Sequence, residues 1–288
     1  MSPVALALVL SAAVFHALWN FAAKRAPNGG TVFVWLYFAA SVCVWLPVTV
    51  VWSLVHPLHP HPVWLLGSAV SGALHVAYSL VLQRGYDHAD MNLVYPLDRG
   101  TGPLVTMVVS IAVLGERLGT VSIAGALVIV AGVAVIAFGN PPTSDPLKRR
   151  RGFAYGIATG VTIATYTLWD DHSVNALAIP PLPYFSIGLL MQTAALAPGV
   201  WGQRGSVIPQ LRVEWREVAV IAALSPLAYI LVLQAMRLAP VALVAPARET
   251  SIVVGGLLSW LVLHEPHPGR RLVGSAVVLV GIAALVAG

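Results

Sequence analysis

Two acid–base pairs stand inside stretches that are otherwise apolar. Asp98 and Arg99 follow Pro96, and Arg248 and Glu249 follow Pro246, with the order of acid and base reversed between the two. An ionisable side chain deep in a membrane span costs about 2.5–3.5 kcal/mol on insertion scales, so each of the four asks for a reason. If a two-fold axis relates the pairs, Asp98 faces Arg248, Arg99 faces Glu249, and the set is neutral. Two readings stay open: a structural ion-pair lock, or a site for a zwitterionic solute whose pairs re-form during work. The prolines free backbone groups that can line a cavity, which favours the second reading.

Polar and aromatic residues elsewhere share faces with the same look. His16, Trp19 and Asn20 lie three and four residues apart, beside Phe15, and so on one face of a first apolar segment. Thr162, Tyr166, Trp169 and Asp170 repeat the pattern; His75, Tyr78 and Ser79, with Gln83 a turn further, form a third face, and Tyr229 and Gln234 a fourth. With Tyr95, the candidate binding set is His16, Trp19, Asn20, His75, Tyr78, Tyr95, Asp98, Arg99, Tyr166, Trp169, Asp170, Tyr229, Arg248 and Glu249. Aromatic faces beside a few carboxylates suit a flat or aromatic solute, by stacking and cation–π contact. A single Trp or Tyr serves equally well as an anchor at the membrane interface.

Other signals lead nowhere. His56, His59 and His61 lack acidic or thiol partners and read as a loop, not a metal site. Asp170-Asp171-His172 is one acidic cluster where a metal–diphosphate site needs two. No Gly-rich loop ends in Lys-Ser or Lys-Thr, which excludes an ATP-driven pump. Neither a metal nor a cofactor is called for.

The elements that must hold these side chains follow from composition. Of 288 residues 58% are hydrophobic and 9% charged, with a mean hydropathy of +0.83. A soluble domain carries about 25% charged residues, so a soluble enzyme or a nucleic-acid-binding protein is excluded. Cys43, the one cysteine, excludes an intrachain disulfide. A span needs about 20 apolar residues, which lets the chain hold about ten. The apolar stretches predict helices at 3–22, 31–55, 63–83, 91–114, 121–139, 152–170, 182–202, 217–236, 241–263 and 272–288. With no basic leader before it, 3–22 reads as a retained helix and not a cleaved signal. The fold class is therefore an all-α integral membrane protein.

The polar stretch 140–151, ending Lys148-Arg149-Arg150-Arg151, separates halves 1–139 and 152–288 that resemble each other. Tyr78–Gln83 matches Tyr229–Gln234, Val94–Arg99 matches Val244–Glu249, and Leu114-Gly115-Glu116 matches Leu263-His264-Glu265. Trp19-Asn20 aligns with Trp169-Asp170, and Gly125 and Gly132 with Gly274 and Gly281, glycines that read as close helix packing. Five helices per half is an odd number, so the second half enters the membrane inverted, with the binding site between the halves. Lys24, Arg25, Arg84, Lys148, Arg149, Arg150, Arg151, Arg204, Arg212, Arg216, Arg270 and Arg271 fall on one side, and Arg117 and Arg237 on the other. The positive-inside rule makes the first side cytoplasmic and puts both termini outside the cytoplasm.

The five-plus-five helices, the Pro96 and Pro246 pair, and Gly-Glu or His-Glu closing the fourth and ninth helices resemble the drug/metabolite transporter superfamily. The nearest likeness is to its EamA-like branch, which includes aromatic amino-acid exporters. The resemblance spans the chain and implies secondary transport of a small organic solute in the cytoplasmic (inner) membrane. Its ten-helix members are commonly drawn with both termini in the cytoplasm, a departure from the charge pattern here. The expectation is export of an aromatic or apolar amino acid by alternating access. Its partners are then the small-molecule substrate and the bilayer, with no nucleic acid, protons as candidate coupling ion, and a monomer sufficient. The alternatives are a membrane-embedded enzyme, a lipid-handling protein, or a carrier of a different metabolite or drug.

Overall fold

Every backbone group in a bilayer must find its partner within the protein, and this chain answers with helices alone among its described residues. The computed structural model describes residues 1–27, 30–56, 58, 60–89, 91–137, 145–263 and 268–288. Its helices are α1 (Pro3–Arg25), α2 (Gly30–Val55), α3 (Pro62–His88), α4 (Met91–Ala112), α5 (Thr120–Ala137), α6 (Pro146–Asn175), α7 (Pro181–Trp201), α8 (Arg204–Met236), α9 (Val241–Arg248), α10 (Ser251–Leu263) and α11 (Pro268–Ala287). Large apolar side chains such as Val51, Leu54, Leu66, Val108 and Val280 point outward, a surface suited to hydrocarbon and not to water.

The helices depart from the sequence expectation in three places. The span expected at 241–263 is two helices. Pro246 has no N–H to give, and the chain tightens beyond it: Glu249 N–H donates to the Pro246 carbonyl (3.0 Å) and Thr250 N–H to Ala247 (3.2 Å). That break ends α9 at Arg248 and leaves Glu249 and Thr250 between two helices. The counterpart α4 carries Pro96 and stays continuous. Second, residues 146–151 are helical and belong to α6. Asp145 caps α6 by accepting from Leu147 N–H (2.9 Å), and Pro146 supplies a preset first turn, so the four basic residues ride on the helix. Third, α8 starts well before 217 and bends at Glu214, whose φ of −109° and ψ of 15° are not helical. The His264-Glu265 landmark lies outside the described residues.

Packing between helices follows a rule of exchange. α3 packs on α6 as α8 packs on α1, α3 on α7 as α8 on α2, and α4 on α6 as α9 and α10 pack on α1. α5 and α11 run antiparallel at close range. A Cβ on Gly125 would lie 2.7 Å from the Gly281 carbonyl oxygen, and one on Gly132 would lie 2.9 Å from that of Gly274. Such contact needs glycine on both sides, as the sequence reading of these residues expects. α2 and α7 are antiparallel too, with Thr49 hydrogen-bonded to Ser186 (2.6 Å) and Thr31 beside Gly199.

Candidate functional site

α4 and the α9–α10 break bring the four charges together in the interior. Asp98, Arg248 and Glu249 are all buried, and Arg99 nearly so. Arg99 spans the halves: its Nη1 lies 3.6 Å from Glu249 Oε2 and its Nε 3.7 Å from Asp98 Oδ1. Arg248 Nε lies 3.6 Å from Glu249 Oε1. Of the two expected cross-pairs, Arg99–Glu249 is formed and Asp98–Arg248 is not. The unequal backbones explain it, because Glu249 sits in a break while Asp98 sits in an unbroken helix. Glu249 therefore lies between two guanidiniums, and Asp98 is left to its chain neighbour.

These ion pairs are loose. Charge-assisted hydrogen bonds are normally 2.7–2.9 Å long, and none of the three reaches that. Asp98 Oδ1 and Glu249 Oε2 are buried and accept no hydrogen bond. A buried polar atom left without a partner costs about 1–3 kcal/mol, so each marks either stored strain or a place for a ligand or water.

Aromatic groups lead away from the charges. Tyr78 and Tyr166 both lie within electrostatic range of Arg99, and Tyr166 also of Arg248 and Glu249. Tyr166 stands edge-on to Tyr78 (5.6 Å between centroids) and stacks on His75 (4.2 Å). Tyr229 stands edge-on to His75 (5.5 Å), with the Phe185 ring also beside it (5.1 Å). On α1, His16 feels the charge of both Arg99 and Arg248 and meets Trp19 edge-on at 5.0 Å. The Trp19 indole N–H is buried with no acceptor.

Behind this wall lies a third acid. Asp170, fully buried on α6, accepts from Ser71 of α3 (2.6 Å), from Tyr184 of α7 (2.6 Å) and from Tyr229 of α8. His75 Nδ1 donates to the Ser71 carbonyl (2.9 Å), and its Nε2 lies 4.0 Å from Asp170. Four helices thus meet on one carboxylate.

Most of the candidate set therefore converges: His16, His75, Tyr78, Asp98, Arg99, Tyr166, Asp170, Tyr229, Arg248 and Glu249 form one connected group, with Trp19 on its edge. Two members are engaged elsewhere. Trp169 donates its indole N–H to the Gly67 carbonyl (2.9 Å) and ties α6 to α3. Asn20 is exposed and donates back to the His16 carbonyl (2.7 Å). The side chain of Tyr95 lies outside the described residues, as does His59. His61 caps α3, accepting from Val63 N–H (3.3 Å).

Sequence reasoning missed three participants. Ser71 is one turn before His75 and was findable on that face. Tyr184 follows Pro183 among apolar neighbours and gave no signal. Glu116 is the third: its two oxygens accept the first N–H groups of α9, from Val241 (2.9 Å) and Ala242 (3.1 Å). Pro240 at the N-cap offers no side-chain acceptor, so a carboxylate from the other half caps the helix instead. Beside it opens a cleft of about 520 Å³, lined in part by Glu116, Asp171, His172, Asn175 and Arg237. None of the candidate binding set lines it.

The sequence model of the EamA-like transporter family matches residues 3–138 and again residues 150–287. One crystal structure is similar over 98% of both chains, with a TM-score of 0.77 and 18% sequence identity. At that identity the likeness speaks for the fold.

Proposed function

The chain belongs to the EamA-like transporter family, which makes it a multi-pass membrane protein that moves small solutes, and from that premise we propose that its substrate is an amino acid with an aromatic or apolar side chain. The observation that carries this reading is the balanced charge cluster, with two starved acid oxygens, beside a wall of aromatic rings. A substrate carboxylate has Arg99 and Arg248 to meet. Its ammonium has Asp98, whose Oδ1 accepts no hydrogen bond. Its side chain has the faces of Tyr78, Tyr166 and His16. A strongly anionic solute such as a sugar phosphate wants an excess of arginine and lysine, which this cluster lacks.

The proposed mechanism is alternating access of two inverted halves, 1–139 and 152–288, joined through 140–151. The family matches each half separately, the helix packing exchanges between halves, and both α2–α7 and α5–α11 are antiparallel. These facts support inversion. Export, protons as candidate coupling ion, an inner-membrane location and termini outside the cytoplasm complete the reading. The test is counterflow of labelled phenylalanine or tryptophan in proteoliposomes. Competition by unlabelled aromatic amino acids is expected. If a sugar phosphate competes and amino acids do not, the substrate assignment fails. A reporter fused after Gly288 that is active in the cytoplasm reverses the orientation.

A further inference from the structure

Glu249 is placed unlike any other acid among the described residues. Its carboxylate lies between two arginines from different halves, 3.6 Å from each, and grips neither within hydrogen-bond distance. One oxygen has no hydrogen-bond donor although the side chain is only 2% exposed. Its backbone stands in the α9–α10 break, where tight three-residue turns replace the regular helix. A carboxylate half-engaged with two guanidiniums, at a break between two helices, is one that another carboxylate can replace.

We infer that Glu249 is an internal stand-in for the substrate's carboxylate and thereby selects zwitterions over simple carboxylic acids, an inference that rests on the amino-acid reading above. The charge count gives the reason. Asp98 and Glu249 balance Arg99 and Arg248, so an incoming carboxylate displaces Glu249 and leaves one buried negative charge in excess. Like charges forced together in a desolvated site carry a heavy penalty. An amino acid removes that excess with its own ammonium, which the displaced Glu249 or Asp98 can meet. A carboxylic acid without an amine cannot, and an amine without a carboxylate leaves Glu249 on the arginines. Selectivity then comes from a repulsion built into the empty site as much as from attraction.

The test is equilibrium binding of three labelled probes to the purified full-length protein: phenylalanine, 3-phenylpropionate, which lacks the amine, and phenethylamine, which lacks the carboxylate. The wild type is expected to bind phenylalanine and to reject phenylpropionate. Glu249→Gln removes the competing charge, and phenylpropionate should then bind about tenfold tighter or better, the worth of one removed repulsion. Glu249→Asp keeps the charge with a shorter reach, and its gain for phenylpropionate should be smaller, which guards against a Gln variant that does not fold. If wild type binds phenylalanine but neither folded variant gains phenylpropionate, Glu249 does not compete and this inference falls while the amino-acid reading stands. If wild type binds phenylpropionate as well as phenylalanine, the selectivity is overturned. If wild type ignores phenylalanine while Glu249→Gln gains phenylpropionate, the stand-in is supported and the amino-acid reading is lost.

Discussion

Asp170 and Asp98 are both buried acids in the interior of one helical bundle, and their surroundings are opposite. Asp170 receives three hydroxyl hydrogen bonds from α3, α7 and α8. Asp98 has one loose ion pair with its neighbour Arg99, and its Oδ1 receives no hydrogen bond. The protein itself meets the needs of the first carboxylate, the condition of a joint between helices. It leaves the second partly unmet, the condition that the proposed substrate site requires. Burial alone does not separate a structural charge from a binding charge; the supply of donors does.

The comparison can be broken at its strongest point first. Asp170→Asn should destabilise the protein by roughly 3–5 kcal/mol, because three hydroxyls lose a charged acceptor together. Thermal unfolding in detergent reads this directly. Tyr229→Phe removes one of the three donors and should cost about 1.5–3 kcal/mol in the same assay. Asp98→Asn is expected to act in reverse. With no hydrogen bond lost at Oδ1 but one loosely paired charge removed, stability should fall by less than in Asp170→Asn, about 1–3 kcal/mol, while counterflow falls about tenfold or more, the worth of one charge-assisted contact to substrate. An Asp98→Asn protein as unstable as Asp170→Asn would end the distinction between the two acids. Smallest of all, Glu116→Ala should cost about 1 kcal/mol, a typical lost helix cap, because Val241 and Ala242 keep no side-chain acceptor. A larger loss would mean that Glu116 also holds the two halves together.

Much of this architecture was written in residue order. Long apolar stretches with few charges dictate helices in lipid, and helical periodicity told which side chains share a face: His75 with Tyr78, Thr162 with Tyr166. Glycines spaced through 125–132 and 274–281 announced close contact. The charges Asp98, Arg99, Arg248 and Glu249 announced themselves by their cost. All of these follow from local geometry or from the solvent, which the sequence carries with it.

Partners across helices were another matter. Equal prolines at 96 and 246 gave an unbroken α4 and a broken α9–α10, so the expected symmetric pairing became Arg99–Glu249 without Asp98–Arg248. Trp169 shares a face with Tyr166, yet it donates to the Gly67 carbonyl, while Tyr184, silent in the sequence, reaches Asp170. Glu116 looked like a landmark and is the cap of a helix 125 positions away. Hydrogen bonds tolerate only a few tenths of an ångström, and whether two groups meet depends on the tilt and rotation of whole helices packed against one another. Periodicity gives the face of a helix; only the packed bundle gives what that face meets.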